Sequence, residues 1–339
     1  MKTITYFSSS WFENIGNAFI DIGTKLLLKK TIQGSEYRLI ETSMYPCIAS
    51  SFSTPLKGVF KLFWRFYGEQ LGLPFLEKRI SYLKTCDSFN LAHYITTDIF
   101  VISGCILTPS FFRIYGEILK KLKKKGVKFI FCGAGGNTYS ETEIEHVSKW
   151  LDELQPYALI TRDSIAFRNY RDFAEKSFDG IDCAFFVNYL PHIKGINFDF
   201  SPYVVLTFDK FRNKKVEKKI EQELKQAYHI IKTTHVPHPE KTIFPVPKKE
   251  KNMTLISENP YDYLLLYANA EKVYSDRIHA CVVSLAFGVP CRLYTKSPRV
   301  AMFSKVARDS NGYMVPTKEL DKYRIRQETF LIDIISDIF

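Results

Sequence analysis

Short apolar strands alternate with helical patterns along most of this 339-residue chain. The apolar run from Asp98 to Ser103 precedes an amphipathic pattern from Phe111 to Lys125, and another apolar run from Lys128 to Cys132 follows directly. Strands joined by connections of this length are parallel, and the connection is usually a helix. The alternation therefore predicts α/β architecture, with parallel sheets covered by helices on both faces.

The alternation comes in two series, which are separated by the proline- and glycine-containing segment from Leu190 to Pro202. A chain of this length is too long for one ordinary hydrophobic core. We predict two Rossmann-like, doubly wound domains that face each other across a cleft, at residues 1–195 and 203–318, followed by a C-terminal helical tail at residues 319–339.

The other predicted elements continue both series. The predicted helices are Glu141 to Leu154, Ser164 to Arg171, Asn213 to Gln226, Tyr261 to Ala270 and Gln327 to Phe339. The predicted strands are Ala158 to Thr161, Asp182 to Val187, Tyr203 to Phe208, Lys272 to Ser275 and Cys291 to Tyr294.

Composition narrows the class of partner. The net charge of +11 favours acidic partners, which include nucleic acid, an anionic membrane face and phosphorylated substrates. The chain has no recognisable nucleic-acid-binding motif, and its basic runs alternate with glutamates, so we predict no nucleic-acid partner. Seven cysteines without a CxxC pair favour reduced thiols. With neither a signal-peptide pattern nor a membrane-spanning apolar run, the sequence predicts a cytoplasmic protein.

The segment from Ser275 to Pro290, SDRIHACVVSLAFGVP, predicts a buried helix with charged residues at its beginning. Ser275 or Asp276 can cap it, and Gly288 with Pro290 ends it. Arg277 and His279 lie about 200° apart around a helix, so both can serve one site only at its end, beside free backbone N–H groups that bind anions. The alternative is a core helix with a capping arginine and a hydrogen-bonded core histidine.

Several other loops follow predicted strands, where ligands of such sheets bind. They include Asn14 to Asn17, Ser103 to Cys105, Gly133 to Asn137 (GAGGN), Arg162 with Asp163, and Lys296 to Arg299. GAGGN either cradles a phosphate or makes a tight strand-to-helix turn. His235 and His238 have a metal-ligand spacing but lie in a polar loop flanked by prolines, so we predict no metal site there.

Together these motifs resemble those of the polysaccharide pyruvyl transferases. The most specific match is Arg277-Ile278-His279-Ala280 with the downstream Gly288-Val289-Pro290. ENIGNAFIDIG at Glu13 to Gly23 is similar to the family's glycine motif, with Asn17 in place of aspartate. Weaker matches to the family's motifs are Ser103-Gly104-Cys105, Arg162-Asp163, Asp182 to Phe186, and Arg299.

The resemblance implies a glycosyltransferase-B-like fold and a phosphoenolpyruvate-dependent transferase. Such an enzyme moves the carboxyvinyl or pyruvyl group of phosphoenolpyruvate onto hydroxyls of a polysaccharide or lipid-linked glycan precursor and forms a ketal. Arg162, Arg277 and Arg299 would hold the donor's anionic groups, and His279 would be the general acid or base. Arg277 would also stabilise the departing phosphate, without a metal or another cofactor.

The loops assigned to the acceptor side contain Asn14, Gly16, Asn17, Ser103 and Gly104. Asn17 cannot act as a base as aspartate could, so we expect it to position the acceptor or shape the turn. Two other functions remain open, a nucleotide-sugar-dependent glycosyltransferase of the same fold and a non-catalytic glycan-binding relative.

The segment from Thr54 to Tyr67 carries basic residues at positions 57, 61 and 65 among aromatic ones. One face of such a helix would be cationic, which allows peripheral contact with the inner face of an anionic membrane. The alternative is a core helix or lid with one solvated face.

Overall fold

The computed structural model describes residues 2–9, 14–43, 91–209, 214–236 and 252–339. The segment from Thr54 to Tyr67, for which membrane contact and a core helix or lid are the two alternatives, lies outside the described residues. In the ranges that are described, no helix has both the length and the apolar character that crossing a membrane requires.

The N-terminal domain is built on a parallel sheet, whose six described strands have the order β2-β1-β3-β4-β5-β6. The strands are β1 (Lys2–Ser8), β2 (Tyr37–Ser43), β3 (Ile99–Gly104), β4 (Lys128–Ala134), β5 (Ala158–Thr161) and β6 (Lys176–Asp179). The accompanying helices are α1 (Ile15–Thr31), α2 (Pro109–Lys124), α3 (Glu141–Leu154) and α4 (Ser164–Tyr170). Because β1 lies between β2 and β3, the strand order reverses direction beside the end of β1, which is where such sheets bind ligands.

The C-terminal domain has a second sheet, whose described strands have the order β12-β13-β11-β10-β7-β8-β9. These are β7 (Tyr203–Thr207), β8 (His229–Thr233), β9 (Asn252–Leu255), β10 (Lys272–Ser275), β11 (Cys291–Leu293), β12 (Ala307–Ser310) and β13 (Tyr313–Pro316). The helices between them are α5 (Lys214–Leu224), α6 (Pro260–Ala268) and α7 (Ile278–Ala286). The strands from β11 to β9 are parallel, whereas β13 and β12 add an antiparallel edge. Here the strand order reverses between β7 and β10.

The predicted architecture of two Rossmann-like parallel-sheet domains is confirmed. The predicted strand from Asp182 to Val187 is wrong, because the chain forms a 3₁₀ helix there, Cys183–Tyr189. The Asp182 side chain accepts a hydrogen bond from the Ala184 N–H at 2.9 Å, which caps this helix. Its apolar residues are buried on all sides, so their sequence has no period that separates a buried strand from a buried helix.

The last helix, α8 (Glu319–Ile338), is longer than the predicted helix from Gln327 to Phe339 and packs back onto the N-terminal domain. The Gln327 side chain accepts a hydrogen bond from the Ile181 N–H at 2.7 Å. The Arg324 guanidinium is buried and donates to the carbonyls of Phe185 and Ala286, at 2.9 and 3.0 Å from Nη2. Arg324 therefore connects the 3₁₀ helix of one domain to the end of α7 in the other.

Candidate functional site at the domain interface

The starts of α1 and α7 face each other where the two domains meet. Each helix follows a strand beside the point at which its sheet reverses strand order. The Ile15 N–H donates to the His235 carbonyl at 2.9 Å, which ties α1 to the end of β8. A β carbon added to Gly16 would lie 3.3 Å from His279 Nδ1. The two predicted ligand-binding edges therefore form one interdomain site.

The start of α1 is fixed by its own side chain. Asn14 is the N-cap of the helix, and its Oδ1 accepts a hydrogen bond from the Gly16 N–H at 3.0 Å. This is the usual way to satisfy one free donor of a helix beginning. Asn17 is half-buried in the same first turn. Gly16 faces His279, and Asn14 and Asn17 flank Gly16 in the loop assigned to the acceptor side.

His279 is held between the two domains and is mostly buried, with 11% of its side chain exposed. Its Nε2 lies 3.6 Å from Asp182 Oδ2, slightly beyond a hydrogen bond. Asp182 belongs to the N-terminal domain and is completely buried. Burial alone would raise the pKa of Asp182, but the neighbouring His279 imidazole, the Arg162 guanidinium and the Ala184 N–H lower it to about 2. Asp182 is therefore ionised at neutral pH.

Arg162 also contacts Asp182, with Nη1 and Oδ2 3.3 Å apart. Its side chain is fully buried, and Nη2 donates to the Gly136 carbonyl at 3.0 Å. In this structure the guanidinium holds Asp182 and has no exposed surface. Direct binding of a donor anion by Arg162 stays a prediction.

The loop GAGGN surrounds this arginine. A β carbon on Gly135 would lie only 2.2 Å from Arg162 Nε, so glycine is required there for the guanidinium to fit. Cys105 donates a weak hydrogen bond to the Gly136 carbonyl at 3.2 Å. The loop therefore accommodates a buried cation, a role that differs from both the phosphate cradle and the simple turn considered from the sequence.

Arg277 is the N-cap of α7, and 15% of its side chain is exposed. The predicted cap by Ser275 or Asp276 is wrong in its position, although the Ser275 hydroxyl accepts a hydrogen bond from the Arg277 N–H at 2.8 Å. Arg277 Nε donates to Asp209 Oδ1 at 2.5 Å. Within the described part of the chain, no hydrogen bond engages the two terminal nitrogens of Arg277.

Asp209, which follows β7, holds the Arg277 guanidinium in place. Its second oxygen accepts hydrogen bonds from the Thr234 hydroxyl and from the N–H groups of His235 and Val236, at 2.9, 2.8 and 3.1 Å. Burial alone would raise the pKa of Asp209, but the Arg277 guanidinium, the neighbouring His235 and the Thr234 hydroxyl lower it to about 2. The result is an ionised carboxylate that holds Arg277 at the interdomain site.

Ser103 and Gly104 do not present polar groups to this site. The Ser103 hydroxyl is buried and lies 2.8 Å from the Tyr6 hydroxyl and 2.9 Å from the Thr24 hydroxyl, under α1. Gly104 has a φ of +93°, a left-handed conformation that favours glycine, and it faces Ile20. Contact of Ser103 with an acceptor sugar is therefore not supported by its position.

Asp21, on α1, is buried with the Tyr6 and Ser103 hydroxyls. It accepts hydrogen bonds from the Tyr6 hydroxyl at 2.5 Å and from the Ser9 N–H at 3.0 Å. Burial raises the pKa of Asp21 to about 8.

Arg299 lies in a 3₁₀ helix, Pro298–Phe303, and its Nε donates to the Ser297 hydroxyl at 3.3 Å. No contact of Arg299 with His279 or Arg277 is found in the described residues, so its role as a donor ligand stays a prediction.

The metal-ligand spacing of His235 and His238 is only half described, because His238 lies outside the described residues. His235 is buried, and its Nε2 lies 2.7 Å from the Tyr267 hydroxyl. Burial lowers the pKa of His235 to about 3, and the neighbouring Arg277 and His279 lower it further, although Asp209 opposes this. Over the described ranges, no group of three or more metal-ligating side chains occurs.

Sequence reasoning did not assign a role to Asp182 or Asp209, which hold His279 and Arg277. Asp182 was visible as a residue in a strand-end loop and in a family-like motif. Asp209 lies two residues after the end of β7, and this position after a strand was the available signal. Their partners lie 97 and 68 positions away in the sequence, so no local pattern could pair them.

Two Rossmann-like domains with one site between the ends of their sheets define the glycosyltransferase-B-like class. Solved structures of UDP-N-acetylglucosamine 2-epimerases share this fold. The enzyme from Rickettsia bellii has a TM-score of 0.53 at 14% identity, with 100% of this chain and 97% of that chain covered. The enzyme from Neisseria meningitidis, bound to UDP-GlcNAc, has a TM-score of 0.52 at 10% identity, with 99% of each chain covered. These identities establish similarity of fold alone.

The family model of the polysaccharide pyruvyl transferases matches residues 50–296. This match spans more than half of the chain, so the chain belongs to that family, and the resemblance found in its motifs is confirmed. No curated protein matches the sequence.

Proposed function

We propose that this transferase moves the pyruvyl group of phosphoenolpyruvate onto two hydroxyls of one sugar and closes a cyclic ketal. The observation that carries the proposal is the pairing of His279 with Arg277 at the start of α7, opposite the start of α1. A histidine can move the proton, and an arginine beside a helix beginning suits a donor with a carboxylate and a phosphate.

The proposed reaction uses the two hydroxyl protons of the acceptor. The first hydroxyl forms its bond to C2 of phosphoenolpyruvate while a proton is delivered to the methylene carbon, which becomes a methyl group. The bond from C2 to the phosphate oxygen then breaks. The second hydroxyl bonds to C2 and its proton leaves with the phosphate, so the products are the ketal and hydrogen phosphate.

His279 takes the first hydroxyl's proton and delivers it to the methylene carbon. Arg277 and the N–H groups at the start of α7 hold the phosphate as it leaves. Arg299 is proposed as a further contact for the donor, and Asn14, Gly16 and Asn17 as the acceptor-side edge. We propose that the reaction requires neither a metal nor another cofactor.

The acceptor class is a sugar of a polysaccharide or of a lipid-linked glycan precursor. We place the reaction in the cytoplasm, at the inner face of the membrane when the acceptor is lipid-linked. The cationic and aromatic segment from Thr54 to Tyr67 supports this placement by its composition. Flotation with anionic liposomes, with and without this segment, tests it.

The function is tested by measuring phosphate release from phosphoenolpyruvate with a panel of nitrophenyl and lipid-linked sugars. We expect acceptor-dependent release by the wild-type protein without added metal and in the presence of chelator. His279→Ala should lower kcat by about 100-fold or more, the usual contribution of a general acid or base. His146→Ala is the matched control, because His146 lies on α3, in the outer part of the N-terminal domain. Full turnover by His279→Ala contradicts the assigned role.

A nucleotide-sugar-dependent transferase is the competing function, since the fold is shared with enzymes that bind UDP-GlcNAc. The two are separated by the ligand that raises the melting temperature. Stabilisation by UDP-GlcNAc, without stabilisation by phosphoenolpyruvate, would favour the competitor. Stabilisation by a glycan alone would favour a non-catalytic relative.

A further inference from the structure

Three features of His279 define which ring atom can reach a substrate. Nε2 is buried, has no hydrogen-bond partner within the usual distance, and faces the Asp182 carboxylate at 3.6 Å. Nδ1 lies on the other side of the ring, toward Gly16. Of the two nitrogens, Nδ1 is therefore the one that faces the start of α1, which belongs to the acceptor-side loop.

Asp182 is itself rigidly held. Its Oδ1 accepts the Ala184 N–H at 2.9 Å, and its Oδ2 lies 3.3 Å from Arg162 Nη1. Since Arg162 is in turn enclosed by the GAGGN loop, Asp182 cannot turn away from His279 Nε2 without breaking a buried contact.

We propose that Asp182 is a positioning residue, which keeps the Nε2 proton of His279 directed into the protein and leaves Nδ1 as the atom that exchanges a proton with the substrate. This inference rests on the proposed function for its chemistry, although the arrangement of the ring does not depend on it. A small shortening of the Nε2 to Asp182 distance on substrate binding makes a full hydrogen bond. The acceptor hydroxyl's proton then moves to Nδ1 and from Nδ1 to the methylene carbon.

Gly16 supplies an independent feature. It lies in the first turn of α1 without a left-handed φ, so the backbone there would accept alanine. A β carbon at this position would lie 3.3 Å from both Nδ1 and Cβ of His279, and 3.1 Å from Asn14 Oδ1. Glycine thus leaves the Nδ1 side of the ring uncovered.

The first test reads the proton directly, by ¹⁵N NMR of histidine-labelled protein, with His279→Gln identifying the signal. In the neutral form of the ring, we expect the wild-type proton on Nε2. Because an asparagine can either accept from or donate to Nε2, Asp182→Asn should populate both tautomers. A wild-type proton on Nδ1, or an unchanged single tautomer in Asp182→Asn, overturns the proposal.

The second test is kinetic. Asp182→Asn should lower kcat/KM for phosphoenolpyruvate by about 100-fold, the size expected from a misplaced catalytic group. Asp179→Asn is the matched control, because it removes a similar carboxylate, 2.6 Å from Lys305, without touching His279. Equal losses in both variants assign Asp182 a purely structural role and overturn the proposal. If Asp182→Asn does not fold, the wild-type tautomer alone decides.

The two proposals can fail separately. An Nε2 proton on His279 without any turnover of phosphoenolpyruvate removes the proposed function and leaves the positioning role. Turnover with the proton on Nδ1 removes the positioning role and leaves the function.

Discussion

Arg162 and Arg277 occupy matching places in the two domains, yet the structure uses them differently. Each follows a parallel strand, precedes a helix and pairs with an aspartate. Arg162 is completely enclosed, whereas 15% of the Arg277 side chain is exposed. A cation at a strand end therefore indicates a candidate site. Its burial decides whether it can bind a ligand, as Arg277 can, or supports another residue, as Arg162 does.

Replacing Arg162 should cause the largest loss of stability. Arg162→Met leaves Asp182 as a buried charge without its guanidinium partner, which costs about 3–5 kcal/mol of unfolding free energy. Urea denaturation followed by circular dichroism measures it. A variant as stable as wild type but with a raised KM for phosphoenolpyruvate would make Arg162 a ligand after all.

Replacing Arg277 should instead affect the reaction. We expect Arg277→Met to lower kcat/KM for phosphoenolpyruvate by about 10- to 100-fold, since a hydrogen bond to a charged group contributes about 1.5–3 kcal/mol. Initial rates of phosphate release measure this, and Arg292→Met, with an exposed side chain on β11, serves as the control. Unchanged kinetics in Arg277→Met would remove it from the donor site.

The enclosure of Arg162 can be tested from its loop. Gly135→Ala places a β carbon 2.2 Å from Arg162 Nε and should cost about 1–3 kcal/mol by overpacking. Gly16→Ala is the matched control for stability, because its β carbon would come no nearer than 3.1 Å to a neighbour. Similar melting temperatures for the two variants would show that the GAGGN loop shifts to accommodate the added β carbon.

Among the groups around Arg277, His235 should be the first to lower the free energy of unfolding as the pH falls. The pKa of His235 is about 3 in the folded protein and about 6.5 in an unfolded chain, so the unfolded state binds the proton over that range. The contribution of His235 to stability should therefore fall by about 1.4 kcal/mol per pH unit as pH drops below about 6.5. Asp21, whose folded pKa is about 8, contributes a change of opposite sign over the same range. Asp182 and Asp209, whose folded pKa values are about 2, add their losses only below about pH 4. Denaturation of the wild-type protein and of His235→Phe at several pH values tests this, because the contribution of Asp21 is common to both. The free energy of unfolding of the wild type, measured relative to the variant, should fall as pH drops below about 6.5.

Part of the fold could be predicted from the sequence because short apolar strands alternate with amphipathic helices along the chain. The helix Glu141–Leu154 and the strands Ala158–Thr161 and Lys272–Ser275 agree with their predicted bounds. Seven of the described strands have no counterpart among the predicted ones, namely β1, β2, β6, β8, β9, β12 and β13. The Cys183–Tyr189 segment was mistaken for a strand because its residues are buried on every side. Periodicity cannot separate a helix from a strand where a segment is buried on all sides, because no polar face marks the period.

For the site, local sequence patterns identify the residues at strand ends and helix beginnings, and the motifs identify the family. Arg277 and His279 lie in one short segment. Folding then brings His279 against Gly16 and close to Asp182 of the other domain, pairs Asp209 with Arg277, and encloses Arg162 in GAGGN. The two kinds of information differ because helix and strand signals arise from neighbours in sequence. Charge pairing and burial arise instead from contacts between residues far apart in the chain, which exist only once both domains have folded.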